Sequence, residues 1–194
     1  MFFRILTTAL FAGFIAGVIS AVMQIIFLQP ILLHAELYET GHLTHFGNSS
    51  LSGSHLPPVF DFQRNALSLL FSALVYTGYA LILTALFAYA SSMKLQIDNV
   101  RAILFGICGF ATVQLSPAFG LPPELPGVAA AELMPRQIWW FFCVISTGLG
   151  FWILAFGGKL IFIAVGIILL LTPHIIGAPQ PVMFIGPTPP ELAS

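Results

Sequence analysis

Five long apolar stretches, almost free of charged residues, constrain this chain more than any other feature. They cover residues 5–28, 65–90, 102–119, 137–156 and 160–176. A bilayer core about 30 Å thick requires about 20 apolar residues per helix, a length that each stretch approaches. Of the 194 residues, 58% are hydrophobic and 7% are charged, which would give a water-soluble domain an apolar surface. The sequence therefore predicts an all-α, polytopic membrane protein, with about five transmembrane helices forming a single domain over residues 1–194.

The basic residues next to the spans indicate an orientation. With the N-terminus in the cytoplasm, Arg64 and Arg136 fall outside, whereas four basic residues fall inside: Arg4, Lys94, Arg101 and Lys159. Lys and Arg concentrate in cytoplasmic loops. We therefore expect a multi-pass protein with a cytoplasmic N-terminus, an outer loop at 30–63 and an outer tail at 177–194.

The same orientation places every histidine, and every carboxylate except Asp98, on the outer side. These residues are His34, His42, His45, His55, His174, Glu36, Glu39, Asp61, Glu124, Glu132 and Glu191. Imidazole nitrogen and carboxylate oxygen together suit divalent Co, Ni, Zn or Fe. The pattern indicates metal collection at one face; the alternative is that the longer outer loops simply carry solvated polar groups.

Small residues recur every four positions along the first span, at Ala9, Gly13, Gly17 and Ala21. In lipid, helices associate where small residues let two backbones approach closely. The pattern predicts a packing face, whose partner is either another helix of this chain or a separate subunit.

The last span contains an interruption, "TPHIIG". Only about twelve apolar residues separate Lys159 from Thr172, so the sequence predicts that Pro173 and His174 complete the crossing as a broken or re-entrant end. Proline leaves a carbonyl one turn back without its donor. His174 is then either an interfacial hydrogen-bonding group or a metal ligand.

A proline-rich segment, "SPAFGLPPELPG", precedes the fourth span. Its prolines oppose regular helix or central strand, which predicts a rigid outer cap centred on Glu124. Arg136 lies four residues after Glu132, a spacing that predicts an ion pair on a helix. Trp139 and Trp140 are predicted to anchor the helix at the membrane interface.

Several function classes are excluded. A net charge of -1 without a basic run opposes nucleic-acid binding. The two cysteines, Cys108 and Cys143, form no C-x-x-C pair and are predicted to be buried thiols. With no nucleophile elbow or metalloprotease motif, we expect no enzyme.

Four stretches together resemble the CbtA family, the predicted cobalt transporter subunit of bacteria: "FFRILTTALFAGFIAGVISAVMQ", "PAFGLPPELPG", "RQIWW" and "TPHIIGAPQP". The resemblance runs along nearly the whole chain. It implies an inner-membrane subunit that supplies cobalt for cobalamin, beside a small single-helix, histidine-bearing partner, CbtB. It also places six residues at matching motif positions: His34, Glu36, Glu124, Glu132, Arg136 and His174.

Two features depart from that family. The segment between the first two spans carries fewer histidines than its members do. Many members also continue past the "ELA" of the tail into a further helix, so we expect either a truncated chain or the loss of one span.

Two functional hypotheses result. The first is a membrane subunit for divalent metal (cobalt) uptake, which gathers the ion at His34, Glu36, Glu124, Glu132 and His174. No firm cofactor is predicted, and Co²⁺, or alternatively Ni²⁺ or Zn²⁺, enters as the transported substrate. The second is a structural or accessory subunit of a respiratory or photosynthetic complex that contacts lipids, pigments or neighbouring subunits.

Overall fold

A computed structural model describes residues 2–41, 61–121 and 124–181, and every regular element in these ranges is helical. Helix α1 (Phe2–Met23) continues through a π-helical turn (Gln24–Leu28) into α2 (Gln29–Glu39). The next long helix is α3 (Phe62–Ser92). Then come α4 (Asn99–Phe110), a second π-helical turn (Ala111–Leu115), α5 (Ser116–Ala118), α6 (Leu133–Phe156) and α7 (Leu160–Ile176).

Within the described residues, four helical stretches are long and apolar enough to cross a membrane: Ile5–Glu39, Phe62–Ser92, Asn99–Ala118 and Leu133–Phe156. Leu160–Ile176 is a shorter apolar helix. The prediction of an all-α, polytopic membrane fold is confirmed. Residues 124–132, which begin in the proline-rich segment and continue to the start of α6, contain neither helix nor strand.

The helices group into two compact units, α1–α3 in the first and α4–α7 in the second. In the first unit, the small-residue face of α1 is buried against α3. A Cβ added to Gly13 would lie 2.6 Å from Thr77 Cα, and one added to Gly17 would lie 2.5 Å from Ala73 Cα. Real Cβ atoms do not approach other atoms so closely, so only glycine permits this backbone contact. The packing prediction is confirmed, and the partner helix belongs to the same chain.

Both π-helical turns have the same cause, a proline placed just beyond them. Pro30 and Pro117 lack the N–H that an α-helix needs at those positions. The helix widens by one residue before each proline: Gln29 N–H donates to Gln24 O. Ser116 N–H donates to Ala111 O in the same way. The widened turns let both helices continue through a residue that would otherwise interrupt them.

Helix α7 accommodates Pro173 without a π-helical turn, and the predicted break is wrong. Helix α7 runs without interruption through Pro173 to Ile176. The carbonyl that loses its donor belongs to Leu169, and Ser146 Oγ of α6 donates to it at 2.6 Å. Because a neighbouring hydroxyl replaces the missing N–H, the helix does not need to break. Pro173 is fully buried.

Large apolar side chains point outwards, and small or polar ones fill the interior of each unit. Phe11 is 71% exposed and Leu160 is 82% exposed, whereas Ala21, Ala73 and Thr147 are each 2% exposed. In water this distribution would be unfavourable, but lipid solvates apolar surface as well as a protein core does. The packing therefore agrees with a membrane environment.

Candidate functional site

The second unit contains a polar cluster centred on the hydroxyl of Ser116. Ser116 Oγ lies 2.9 Å from Thr147 Oγ1 and 3.1 Å from His174 Nε2. It also lies 3.3 Å from Cys143 Sγ. We call these four side chains the Ser116 cluster. A serine hydroxyl offers one hydrogen and two acceptor sites, so three contacts use its full capacity.

Three helical stretches bring the cluster together. Ser116 directly follows the second π-helical turn and precedes Pro117. Cys143 and Thr147 are four residues apart on α6, which places them on one face of that helix. His174 occupies the last turn of α7. The two α6 side chains are buried, whereas His174 is exposed, so the cluster leads from the surface of the unit into its interior.

Two aromatic rings lie edge-on to the imidazole of His174. Phe119 and Trp139 each lie 6.3 Å from it between ring centroids, both edge-on. Trp139 Nε1 also donates to Pro173 O at 3.3 Å. Trp139 is only 5% exposed, so its predicted role as an interfacial anchor is wrong: the indole packs inside the unit and fixes the end of α7.

His174 lines two cavities. The larger, about 480 Å³, also has Phe119, Trp139 and Gln180 in its walls. The smaller, about 180 Å³, is bounded by Ser116 and Thr147 as well as His174. The imidazole therefore borders both an open space and the polar cluster behind it.

The first two predicted metal ligands lie in the first unit. His34 is half-buried and stacks on Tyr38, with ring centroids 5.7 Å apart and planes 6° from parallel. Glu36 accepts two hydrogen bonds from the Arg64 guanidinium, one of them from Nη1 at 3.0 Å. Asp61, another predicted outer carboxylate, caps α3 by accepting from Arg64 N at 3.1 Å.

Two other predicted ligands, Glu124 and Glu132, flank the start of α6. Glu124 pairs with Arg136 at 2.7 Å, with both side chains 28% exposed. Glu132 is exposed and precedes the first residue of α6. The predicted ion pair between Arg136 and Glu132 is therefore wrong: the guanidinium reaches back to the preceding loop instead.

The predicted ligands do not form a metal cage. Within residues 2–41, 61–121 and 124–181, no group of three or more His, Cys, Asp or Glu is placed to hold a metal ion. His42, His45, His55 and Glu191 lie outside the described residues. Metal binding by His34, Glu36, Glu124, Glu132 and His174 stays a prediction.

The sequence points to His174 but not to its partners: it places Ser116 only in the proline-rich segment and predicts only a buried thiol at Cys143. The available signal is the i, i+4 spacing of Cys143 and Thr147, which sets a thiol and a hydroxyl side by side on a largely apolar helix.

The long apolar helices and their outward-facing apolar side chains show that this is a multi-pass α-helical membrane protein. The family described as "Probable cobalt transporter subunit (CbtA)" matches residues 2–194. The chain therefore belongs to the CbtA family, a family of transporter subunits rather than of enzymes, and the word subunit implies partner chains. No curated protein and no solved structure matches the chain.

Proposed function

We propose that this chain is the membrane subunit of a cobalt uptake system in the bacterial inner membrane, with its N-terminus in the cytoplasm, and that His174 binds the ion as it enters. Membership of the CbtA family supports cobalt transport. The observation that carries the role of His174 is its position between an open cavity and the other side chains of the Ser116 cluster. A neutral imidazole nitrogen is a good ligand for Co²⁺, and for Ni²⁺ or Zn²⁺.

In this proposal the outer carboxylates and His34 attract the ion before His174 takes it. Glu36 and Glu124 are each paired with an arginine. A divalent cation has to compete with that guanidinium for the carboxylate oxygens, so the pairs hold the ion only briefly. Weak, successive sites favour conduction, because an ion held too tightly does not leave.

The energy source and the partner lie outside this chain. It contains no GxxxxGK[ST] phosphate-binding motif, so an ion gradient or another subunit drives uptake. We propose a single-helix, histidine-bearing subunit of the CbtB type as the partner. Its histidines would pass cobalt to the carboxylates and to His174. The family gives no support to the alternative of a respiratory or photosynthetic scaffold subunit.

The test is cobalt accumulation in bacterial cells whose own cobalt uptake systems have been deleted and which express this chain with its partner subunit. His174→Ala should reduce accumulation to the level of cells without the chain, while the amount of protein in the membrane stays the same. Ile175→Ala is the matched control, since this neighbouring side chain is 79% exposed and makes no part of the cluster. Normal accumulation by His174→Ala would refute the role of the imidazole, and no accumulation with any variant, wild type included, would refute the transport function itself.

A further inference from the structure

We propose that Cys143 is a second cobalt ligand beside His174, so that the Ser116 cluster is an internal nitrogen–sulfur site for the ion. The inference rests on the proposed transport function and adds a sulfur donor to it. A site of this kind would select borderline-soft divalent cations such as Co²⁺ over Mg²⁺ and Ca²⁺, which prefer oxygen ligands only.

Convergence is the geometric basis. The imidazole nitrogen of His174 and the sulfur of Cys143 lie 3.1 and 3.3 Å from the same oxygen, Ser116 Oγ. Metal–nitrogen and metal–sulfur bonds measure about 2.0 and 2.3 Å. Around a tetrahedral ion with bonds of this length, neighbouring ligand atoms lie about 3.3–3.6 Å from one another. The imidazole nitrogen and the sulfur are therefore already spaced from Ser116 Oγ much as ligands of one ion would be, with the serine oxygen as a third ligand.

Hydroxyl groups and space complete the coordination. Thr147 Oγ1 lies 2.9 Å from Ser116 Oγ, so the two hydroxyl oxygens can take the remaining positions around the ion. The cavity of about 180 Å³ beside Ser116, Thr147 and His174 has room for water molecules that travel with it. Neutral oxygen ligands bind weakly, which suits a site that has to release its ion.

Cobalt binding at this site releases one proton. Cys143 binds the ion as a thiolate, so its S–H bond breaks, a cobalt–sulfur bond forms, and the proton leaves to water through the cavity beside His174. Nothing is oxidised or reduced. Release of the ion towards the next site returns the proton to the sulfur.

Cobalt itself reports on this site, because a thiolate bound to Co²⁺ gives a charge-transfer absorption band in the near ultraviolet that nitrogen and oxygen ligands do not give. The full chain, purified in lipid nanodiscs, is titrated with Co²⁺ alone. We expect the band in the wild type and in Cys108→Ser, whose cysteine is the other free thiol. Cys143→Ser should abolish the band, and His174→Gln should weaken cobalt binding about tenfold or more.

Serine is chosen at position 143 because it is close to cysteine in size and keeps a hydrogen bond to Ser116, so the variant should fold. Circular dichroism of each variant checks this. A band that is absent from the wild type, or that persists in Cys143→Ser, overturns the inference. If cells still accumulate cobalt in a His174-dependent manner, that result leaves the proposed function standing; failure of accumulation by the wild type removes both.

Discussion

Gln29 precedes Pro30 in the first unit, and its side chain donates a hydrogen bond to Asn65 Oδ1 at 2.8 Å. Ser116 precedes Pro117 in the second unit and contacts three side chains. Along the first helix, Ser20 accepts from Gln24 Nε2 at 3.2 Å and donates to the Tyr76 hydroxyl at 3.0 Å. These polar groups in the first unit form a pair and a short chain. Polar groups in the second unit converge on one point.

The two units share the same local arrangement, here called the local plan, around their first proline. Each has a helix that widens into a π-helical turn just before an X-Pro pair. Each then has a glutamate that pairs with an arginine near the start of the next long helix, Glu36 with Arg64 and Glu124 with Arg136. Two differences bear on the cluster: the residue before the proline, and the additional helix α7, which supplies His174.

One local pattern thus forms a fixed helix pair in the first unit and a polar cluster in the second. Paired polar groups and backbone contact at Gly13 and Gly17 give the first unit a fixed helix pair. A hydroxyl with three partners can exchange one of them for a ligand without leaving the others unsatisfied. We therefore expect substitutions at the contact between α1 and α3 to act through stability, and substitutions at the Ser116 cluster to act through both stability and cobalt binding.

The largest expected effect lies at the contact between α1 and α3. Gly17→Leu should destabilise the chain by about 3 kcal/mol or more, because the new side chain collides with the backbone of α3 at Ala73. Thermal unfolding in detergent measures the change. Gly78→Leu is the matched control on α3, where an added Cβ meets nothing within 4 Å, and should have little effect. Equal effects of the two substitutions would contradict the fixed-pair description.

A smaller effect is expected between α6 and α7. Ser146→Ala removes the hydroxyl that donates to Leu169 O and should cost about 1–3 kcal/mol, since a buried carbonyl loses its partner. Pro173→Ala restores the backbone N–H that this carbonyl would use in an ordinary helix. In that background Ser146→Ala should cost much less, which a double-mutant cycle on unfolding free energies measures. Simple additivity would show that the hydroxyl does not compensate for the proline.

The smallest effect should come from the two ion pairs, which are partly exposed. Glu36→Gln and Glu124→Gln should each lower the free energy of unfolding by about 0.2–1 kcal/mol, and less at high salt. Glu36 meets two nitrogens of Arg64, so its loss should be the larger of the two. Glu39→Gln, at the exposed end of α2, is the control. A larger loss at Glu124 than at Glu36 would mean that the two pairs are not equivalent parts of one plan.

The regular features of the fold follow from the sequence because they depend on local spacing. The apolar stretches predict the helices, and the four-residue repeat of Ala9, Gly13, Gly17 and Ala21 predicts a buried face. The identity of the partner helix does not follow, because any helix with small residues could accept that face. Only the three-dimensional arrangement selects Thr77 and Ala73.

The candidate site shows the same limit. The sequence indicates that Pro173 leaves a carbonyl without its donor. It contains no local sign that the hydroxyl of Ser146, 27 positions before Pro173, supplies that donor. The spacing of Glu132 and Arg136 favours a pair within the helix, whereas a loop glutamate, Glu124, binds the guanidinium instead. Hydrogen bonds and ion pairs between distant segments depend on tertiary structure, which local periodicity does not contain.

The hydroxyl of Ser146 also bears on biosynthesis. The carbonyl of Leu169 in α7 has its hydrogen bond only when α6 lies beside it, because Ser146 of α6 is the donor. An unpaired carbonyl is costly in hydrocarbon, so α7 would enter the lipid alone only at a penalty. Synthesis proceeds from α6 to α7 across a link of three residues, 157–159, and so the nascent chain always presents the donor before the acceptor that needs it.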